Sequence, residues 1–504
     1  MEQFPSHFNL VDDPWISVIG HPLQSLKTLF SDLTISRFSG NAVDKIVLLR
    51  FMLSLAHAAV EIPDRTAWKA LTPQILSEKV LAYLEKHHDL FDLFGDKPFL
   101  QFPALKGCQK LQPYSALLPN VSTGNKPVLT HWNVEPEITV HELPLLLLRG
   151  CCFGFGGKKS DNSIALTPGY TGKLNDKGKP ASGAFGTLLG FQGYLHSYLL
   201  GENLLETLLL NMLSLEDLKE IGTWTEKGTP LWEDMPAGED CPRARSYKGS
   251  YMGTLFPLDK FFLLFPLEQK IAMTDGIPYP TYLTGLADPA LTVHEEKNKI
   301  KVVWAKTEHR PWRELDAIFS FLKSTEQKHA PYTLSCGIDK FPPQKGIHVW
   351  TAGVQVSSNA GEQYLAGKND YIESEFYFPD NDLGFFYNKY RNTMKALEEK
   401  AKLLYGCIAR YFKELQHLNG ADIASATVTR FWEITEKDTS EIIASAFAEN
   451  AVDEQASEKL LQKWNSLVLQ LYSESCPFIS ARQLIAWSHN KPFSNTKKQT
   501  EKKG

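Results

Sequence analysis

The feature that most restricts this chain is a seam of apolar residues in its C-terminal third. Tyr390, Met394, Leu397, Ala401, Leu404, Ile408, Tyr411 and Leu415 recur at alternating steps of four and three, the a/d pattern of helices that pack side by side. Ala456, Leu460, Trp464, Leu467 and Leu471 repeat the pattern in a later segment. With shorter helices expected near 421–434, 440–449 and 478–489, these stripes predict an antiparallel, four-helix-type bundle over residues 385–490. The turn-rich stretch Pro379-Asp380-Asn381-Asp382-Leu383-Gly384 marks the boundary before it. The polar, lysine-rich tail 491–504 is expected to be disordered.

Residues 1–380 have a different character, and the fold class expected for the whole chain is α+β. Asn41 is placed to cap a helix running to about Val60, with Asp44 in its first turn. That helix is apolar nearly all round and so is expected to be buried. A second helix is expected over Pro73–His88. Leu143–Leu148 is a solid apolar run that reads as strand-like, and Gly190–Leu215 reads as a helix. Residues 222–250 read as loop, and 252–303 as short strands between turns. Trp312–Glu326 reads as helical, and Ile347–Gln355 and Tyr371–Phe378 as strands.

With 504 residues, 43% of them apolar, the chain is large enough to hold a core without disulfides or metal. The seven cysteines are scattered, with no CxxC pair, which speaks against a zinc ribbon and suits a reducing cytosol. The longest apolar stretch, Ile46–Val60, is broken by Arg50, Ser54 and His57 and falls short of the ~20 residues of a membrane span. The N-terminal residues lack a basic segment followed by an apolar run, so no signal peptide is expected, and a cytoplasmic protein that avoids membranes is expected. The net charge of −5 argues against a stand-alone DNA binder, which usually carries a basic face. It leaves room for a subunit touching DNA through one small patch.

The first candidate for chemistry is Gly154-Phe155-Gly156-Gly157-Lys158-Lys159-Ser160. Glycines let backbone N–H groups approach a phosphate or base edge closely, and the lysines add positive charge. The spacing is not that of a P-loop: Cys152 stands where the first glycine is needed, and Lys159 where Ser or Thr is needed. Nor is it a dinucleotide fingerprint, because Lys159 occupies the third glycine position. A plain flexible loop is the alternative. Further basic residues gather at Lys173, Lys177 and Lys179, at Arg243, Arg245 and Lys248, and at Lys389, Arg391, Lys395, Lys400 and Lys402, where phosphate contacts compete with ordinary solvated surface. The polar stretch 353–369 contains Gln355, Ser357, Ser358, Asn359 and Gln363, able to pair with base edges or simply to form a hairpin loop. His87-His88-Asp89 resembles half of a metal phosphohydrolase site, but no further ligands accompany it, and the end of a helix accounts for it. No catalytic residue, metal site or cofactor is expected.

Together these pieces resemble the CasA family, the large subunit of the type I-E CRISPR Cascade complex. Phe8-Asn9-Leu10, Asp13-Pro14-Trp15-Ile16 and Ser25-Leu26 look like the family's opening. Pro98-Phe99-Leu100-Gln101, Gly201-Glu202-Asn203-Leu204 running into Thr207-Leu208-Leu209-Leu210-Asn211, and Pro230-Leu231-Trp232-Glu233 look like later signatures, in the expected order. The resemblance covers about residues 8–490 and is sparser over 220–350.

It implies a non-enzymatic subunit that recognises the protospacer-adjacent motif in double-stranded DNA through the minor groove. It also implies that the subunit starts strand separation on the way to an R-loop and helps recruit a helicase–nuclease for antiviral defence. Its implied partners are the backbone, small and crRNA-end-binding subunits, the crRNA itself, target DNA and the helicase–nuclease. By position, Gly154, Phe155, Gly156 and Gly157 would approach the minor groove, with Lys158 and Lys159 on phosphates. Asn125, Lys126 and His131 would belong to a mobile loop at the crRNA end. Ser358, Asn359 and Ala360 fall where the family inserts a wedge beneath the first base pair. Asn359 replaces the expected glutamine, so Gln355 or Gln363 could serve in a shifted register. Lys389, Arg391 and Lys395 would form a basic face on the bundle. This chain lacks the cysteine-rich zinc motif of some relatives, and no counterpart of a motif-contacting family lysine is found. Two other functions stay open: a scaffold without base reading, and an enzyme, either binding nucleotide or phosphate through Gly154–Lys159 or acting as a phosphohydrolase through His88 and Asp89.

Overall fold

A computed structural model describes residues 4–118, 137–157, 185–296, 299–322, 331–342, 344–359, 362–365, 370–447 and 451–493. The chain divides into two compact units. One comprises Met1–Pro342 and Ile347–Phe376, the other Pro343–Gly346 and Tyr377–Gly504.

The first unit is organised around α1 (Ala42–Ala59). The Asn41 side chain accepts from Asp44 N at 3.0 Å and caps it as expected. Residues on every side of α1 are buried, from Ile46 and Val47 through Phe51 and Met52 to Leu55 and Ala56. Arg50, in its middle, is fully buried too. Its guanidinium donates to Tyr198 Oη (2.7 Å), Asp288 Oδ1 (2.7 Å) and the carbonyls of Thr254 and Leu255, and meets His196 Nδ1 at 3.0 Å. A buried cation is tolerable only when so fully paired. The other helices of this unit that bear on the site are α2 (Pro73–Lys86), α3 (Leu143–Cys152), α4 (Leu204–Asn211) and α5 (Pro242–Gly249).

The strands are short: β1 (Gln112–Pro113), β2 (Leu195–Leu200), β3 (Lys260–Phe265), β4 (Lys270–Asp275), β5 (Val293–Glu296), β6 (Lys299–Val302), β7 (Ile347–Val354), β8 (Ser357–Asn359), β9 (Glu362–Tyr364) and β10 (Tyr371–Phe378). They form sheets ordered β1–β4–β3 and β10–β7–β2 and the hairpins β5–β6 and β8–β9. β2 and β7 are antiparallel, Leu195 opposite Gly353 and Leu200 opposite His348.

Three expectations are corrected here. Leu143–Leu148 is not a strand but the body of α3, begun by Pro144 in its first turn. A short leucine run carries no period, and leucine is a strong helix former. Gly190–Leu215 is not one helix: β2 occupies Leu195–Leu200, all six residues buried, so the strand lacks the alternation that would reveal it. Asn203 then caps α4, accepting from Glu206 N at 2.9 Å. Residues 222–250 are not all loop, because α5 lies within them, capped by the Cys241 sulfur, a residue type seldom read as a cap. In the Trp312–Glu326 region the described part is a chain of single turns, Pro311–Glu314, Leu315–Ile318 and Ser320–Leu322.

The second unit is helical: α6 (Leu383–Glu414), α7 (Gly420–Thr435), α8 (Thr439–Phe447), α9 (Ala451–Ser475) and α10 (Ala481–Asn490). α6 packs against each of the other four. Its predicted seam is buried from Tyr390 through Tyr411. In α9 the buried stripe is Leu460, Trp464, Val468, Leu471 and Tyr472, while Leu467 is only half-buried. A straight helix of 3.6 residues per turn drifts off a 3.5-residue heptad, which moves the inward position on by one. The Ala456 side chain and the tail from 494 lie outside the described residues. No helix among the described residues is long and apolar enough to cross a membrane.

Candidate nucleic-acid interface

The glycine segment begins where α3 ends. Arg149 in the last turn of α3 pairs with Asp44 Oδ1 at 3.1 Å, tying α3 to the start of α1. The Phe153 N–H closes the helix on Arg149 O, and the chain then runs through Gly154, Phe155, Gly156 and Gly157. Phe155, Gly156 and Gly157 are buried. Gly157 has φ +134°, a conformation that side-chain-bearing residues avoid.

Two neighbours grip the segment. On one side, Gly186 N donates to Gly154 O (2.6 Å) and Leu188 N to Cys152 O (2.9 Å). The approach is so close that a Cβ on Gly186 would lie 2.5 Å from Gly154 N and 2.7 Å from Cys152 O. Between them, Thr187 donates its N–H (2.6 Å) and its hydroxyl to the Asp259 carboxylate, while Asp259 N donates to Cys151 O at 2.6 Å. Burial pushes the Asp259 carboxyl up to about 7, against the opposing pull of the Thr187 hydrogen bonds and of Lys260. Lys260 itself is buried against Asp275, so the cation is neutralised beneath the segment.

On the other side stands the hairpin β8–β9, with Ser357 opposite Tyr364, Ser358 opposite Gln363 and Asn359 opposite Glu362. Gln363 Oε1 accepts from Gly156 N at 2.9 Å, and Gln363 N donates to Gly156 O at 3.4 Å. The candidate wedge hairpin and the glycine segment, two hundred residues apart in sequence, are thus hydrogen-bonded neighbours.

Both alternative glutamines have engaged side chains. Gln363 is 9% exposed and its amide is turned inward. Gln355 Oε1 accepts from Thr307 N (2.6 Å) and Oγ1 (2.9 Å). Neither is free to project from the hairpin. Asn359 lies on β8 next to the turn; its side chain, Ala360, Lys158, Lys159, Lys173, Lys177 and Lys179 lie outside the described residues, as do Asn125, Lys126 and His131.

The remaining candidates are dispersed. Arg243 is committed to Asp234 and to the carbonyls of Thr229 and Pro230, and Arg245 to Asp240. In the helical unit, Arg391 and Lys395 are exposed one turn apart on α6, whereas Lys389 is half-buried on a different flank. His88 Nε2 meets Asp12 Oδ2 at 2.7 Å, and Asn9 donates to His88 O, so the histidine joins a helix end to the N-terminal segment. Among the described residues no group of three metal-ligating side chains occurs. Sequence reasoning missed Asp259. The available signal was an acid set between apolar residues, Leu258 before it and Phe261-Phe262-Leu263-Leu264-Phe265 after Lys260.

The family described as CRISPR-associated protein Cse1 matches residues 9–474. The chain belongs to the Cse1 family. That match takes in the glycine segment, the hairpin and most of the bundle. The CRISPR-associated protein CasA/Cse1 of Thermus thermophilus is 29% identical over 244 residues, or 45% of this chain, and the aligned part spans 42% of that relative. Among solved structures, Cse1 of Thermobifida fusca superposes with a TM-score of 0.77 at 15% identity, covering 96% of both chains. CasA of T. thermophilus gives 0.69 at 20% identity, over 96% of this chain and 97% of that one. A chain of a CRISPR RNA-guided surveillance complex gives 0.72 at 18%, over 96% and 99%. The Cse1 fold therefore extends over nearly the whole chain.

Proposed function

We propose that this chain is the non-enzymatic large subunit of a Cascade-type, CRISPR RNA-guided surveillance complex, and that it reads the protospacer-adjacent motif in duplex DNA. Its partners in this reading are the backbone, small and crRNA-end-binding subunits, the crRNA, double-stranded target DNA and a helicase–nuclease that it helps to recruit. The observation that carries the reading is the joining of a buried glycine segment to a polar hairpin. Glycines, of which Gly154 is the partly exposed one here, let main-chain groups approach the edges of the narrow minor groove, where side chains would hold the duplex away. Minor-groove readout separates mainly A·T from G·C, so the site should accept several motifs. Asn359, beside the hairpin turn, is the proposed wedge that parts the first base pair, and Lys158 and Lys159 are proposed to hold phosphates. Base pairing with the guide then reads the remainder.

The test is binding of short duplexes, with and without the motif, by complex assembled with and without this chain. Omitting the chain should abolish discrimination. Asn359→Ala should reduce it by ~1–3 kcal/mol, the scale of one base contact. Lys158→Ala/Lys159→Ala should weaken both duplexes equally and make the salt dependence shallower by about one unit of slope per lysine. Undiminished discrimination without the chain would leave a scaffold role in its place.

A further inference from the structure

Gln363 is the residue through which the hairpin touches the glycine segment, and all of its hydrogen-bonding capacity on that side is used. Its Oε1 accepts from Gly156 N at 2.9 Å. Its Nε2 donates to Gly190 O at 2.8 Å and to Phe191 O at 2.9 Å. A primary amide has two N–H donors and a carbonyl acceptor, and here the acceptor meets the glycine segment while the amide nitrogen meets two successive carbonyls of another stretch of chain. Its own N–H adds the longer bond to Gly156 O.

Within β9, neighbouring side chains alternate between faces. Gln363 is 9% exposed and Tyr364 beside it 41%. The inward residue of the strand therefore grips the glycine segment, while Ser358 opposite it in register leads directly to Asn359. We infer that Gln363 is a positioning residue for motif reading: its side-chain amide holds the glycine segment at a set distance from the hairpin, so that both meet the same step of a duplex. The inference rests on the proposed function and deepens it.

The chemistry of the contact is selective. Asparagine is one methylene too short to span Gly156 and the Gly190–Phe191 turn together. Glutamate keeps the acceptor for Gly156 N but turns a second oxygen toward two carbonyls. Methionine matches the length and offers neither a strong donor nor a strong acceptor. A glutamine kept only for core stability would show its loss in melting and assembly. A positioning residue shows its loss in discrimination.

The experiment uses the full complex carrying Gln363→Met, with wild type, Asn359→Ala and complex lacking the chain as references. Assembly, melting, affinity for a motif-less duplex and affinity for a motif-bearing duplex are measured. The expected result is normal assembly, unchanged affinity and salt slope on the motif-less duplex, and about tenfold lower preference for the motif, the scale of one lost base contact. Wild-type preference in Gln363→Met, with preference lost in Asn359→Ala, would overturn the positioning role and leave the functional reading intact. Preference persisting in complex without the chain would overturn both. Should Gln363→Met not assemble, Gln363→Asn is read in its place: lowered preference at unchanged motif-less affinity supports the inference, and wild-type preference overturns it. Failure of both variants to assemble would assign Gln363 to folding and overturn it.

Discussion

Replacing Asp259 with asparagine isolates one buried charge beneath the glycine segment. The carboxyl titrates at 3.8 in an unperturbed setting and is pushed to about 7 by burial in the folded chain. Between those two values the folded protein holds a proton that the unfolded chain has released. Stability contributed by this group is therefore present below about pH 4, declines as pH rises toward 7, and is level above that. A difference of about three units, at ~1.4 kcal/mol each, gives a swing of about 4 kcal/mol. Asparagine preserves the contacts, since its oxygen can accept from Thr187 N and its NH2 donate to Thr187 Oγ1, and it carries no charge to desolvate. His57 and His196 are both held near 3 by burial and lose stability in the opposite sense as pH falls below about 6.5. They are common to both proteins and cancel in the difference. The measurement is urea unfolding of wild type and Asp259→Asn, followed by tryptophan fluorescence between pH 4.5 and 8. The variant should gain on wild type from pH 4.5 to about 7 and hold a constant advantage from there to pH 8. A stability difference independent of pH would refute the reasoning.

Gly186→Ala should destabilise the first unit by roughly 2–4 kcal/mol in urea unfolding, because its methyl would displace the Gly154 backbone and break the bonds that flank it. An unchanged midpoint would show that the two segments separate freely. Arg50→Met should cost about 3–5 kcal/mol by stranding Asp288 in the core. Adding Asp288→Asn should recover part of that loss, and strict additivity of the two changes in a double-mutant cycle would contradict the pairing.

The helical unit was legible because packing side by side imposes a period on sequence. The α6 seam needed no other information from Tyr390 to Tyr411, though its last predicted position, Leu415, is only half-buried, and in the α9 stripe the buried position is Val468 rather than Leu467. The Asn41 cap was legible for a similar reason, being local. β2 was hidden because burial on both faces erases alternation, and α3 because leucines in a row have no period. The site shows the same division. Its glycines stood out, yet the bond between Gly156 and Gln363 spans 207 residues and leaves no local trace, so the sequence offered Gln363 only as an alternative wedge and did not show its amide turned toward Gly156, Gly190 and Phe191. The residues that carried the family resemblance are mostly architectural. Asn203 caps α4, Gln101 is buried and bridges Leu93 O to Leu264 N, and the Trp232 indole donates to Tyr83 Oη. Recognition from sequence thus drew on residues that build the fold, and the fold then brought two of the candidate segments together.

The pairing of β2 with β7 also sets a timetable for the protein's synthesis. Ser197 and Thr351 face each other across that ladder, 154 residues apart. A ribosome adding ~5–20 residues per second takes roughly 8–30 s to supply the second strand after the first. Throughout that interval Leu195–Leu200, every residue of which is buried in the finished protein, lacks its ladder partner β7, although Ala290, Leu291 and Val303 reach it sooner, and Arg50 waits similarly for Asp288. A nascent chain with so long a delay is exposed to premature association, so its yield in a cell should depend on chaperones that hold apolar strands and on the pace of translation between residues 200 and 350.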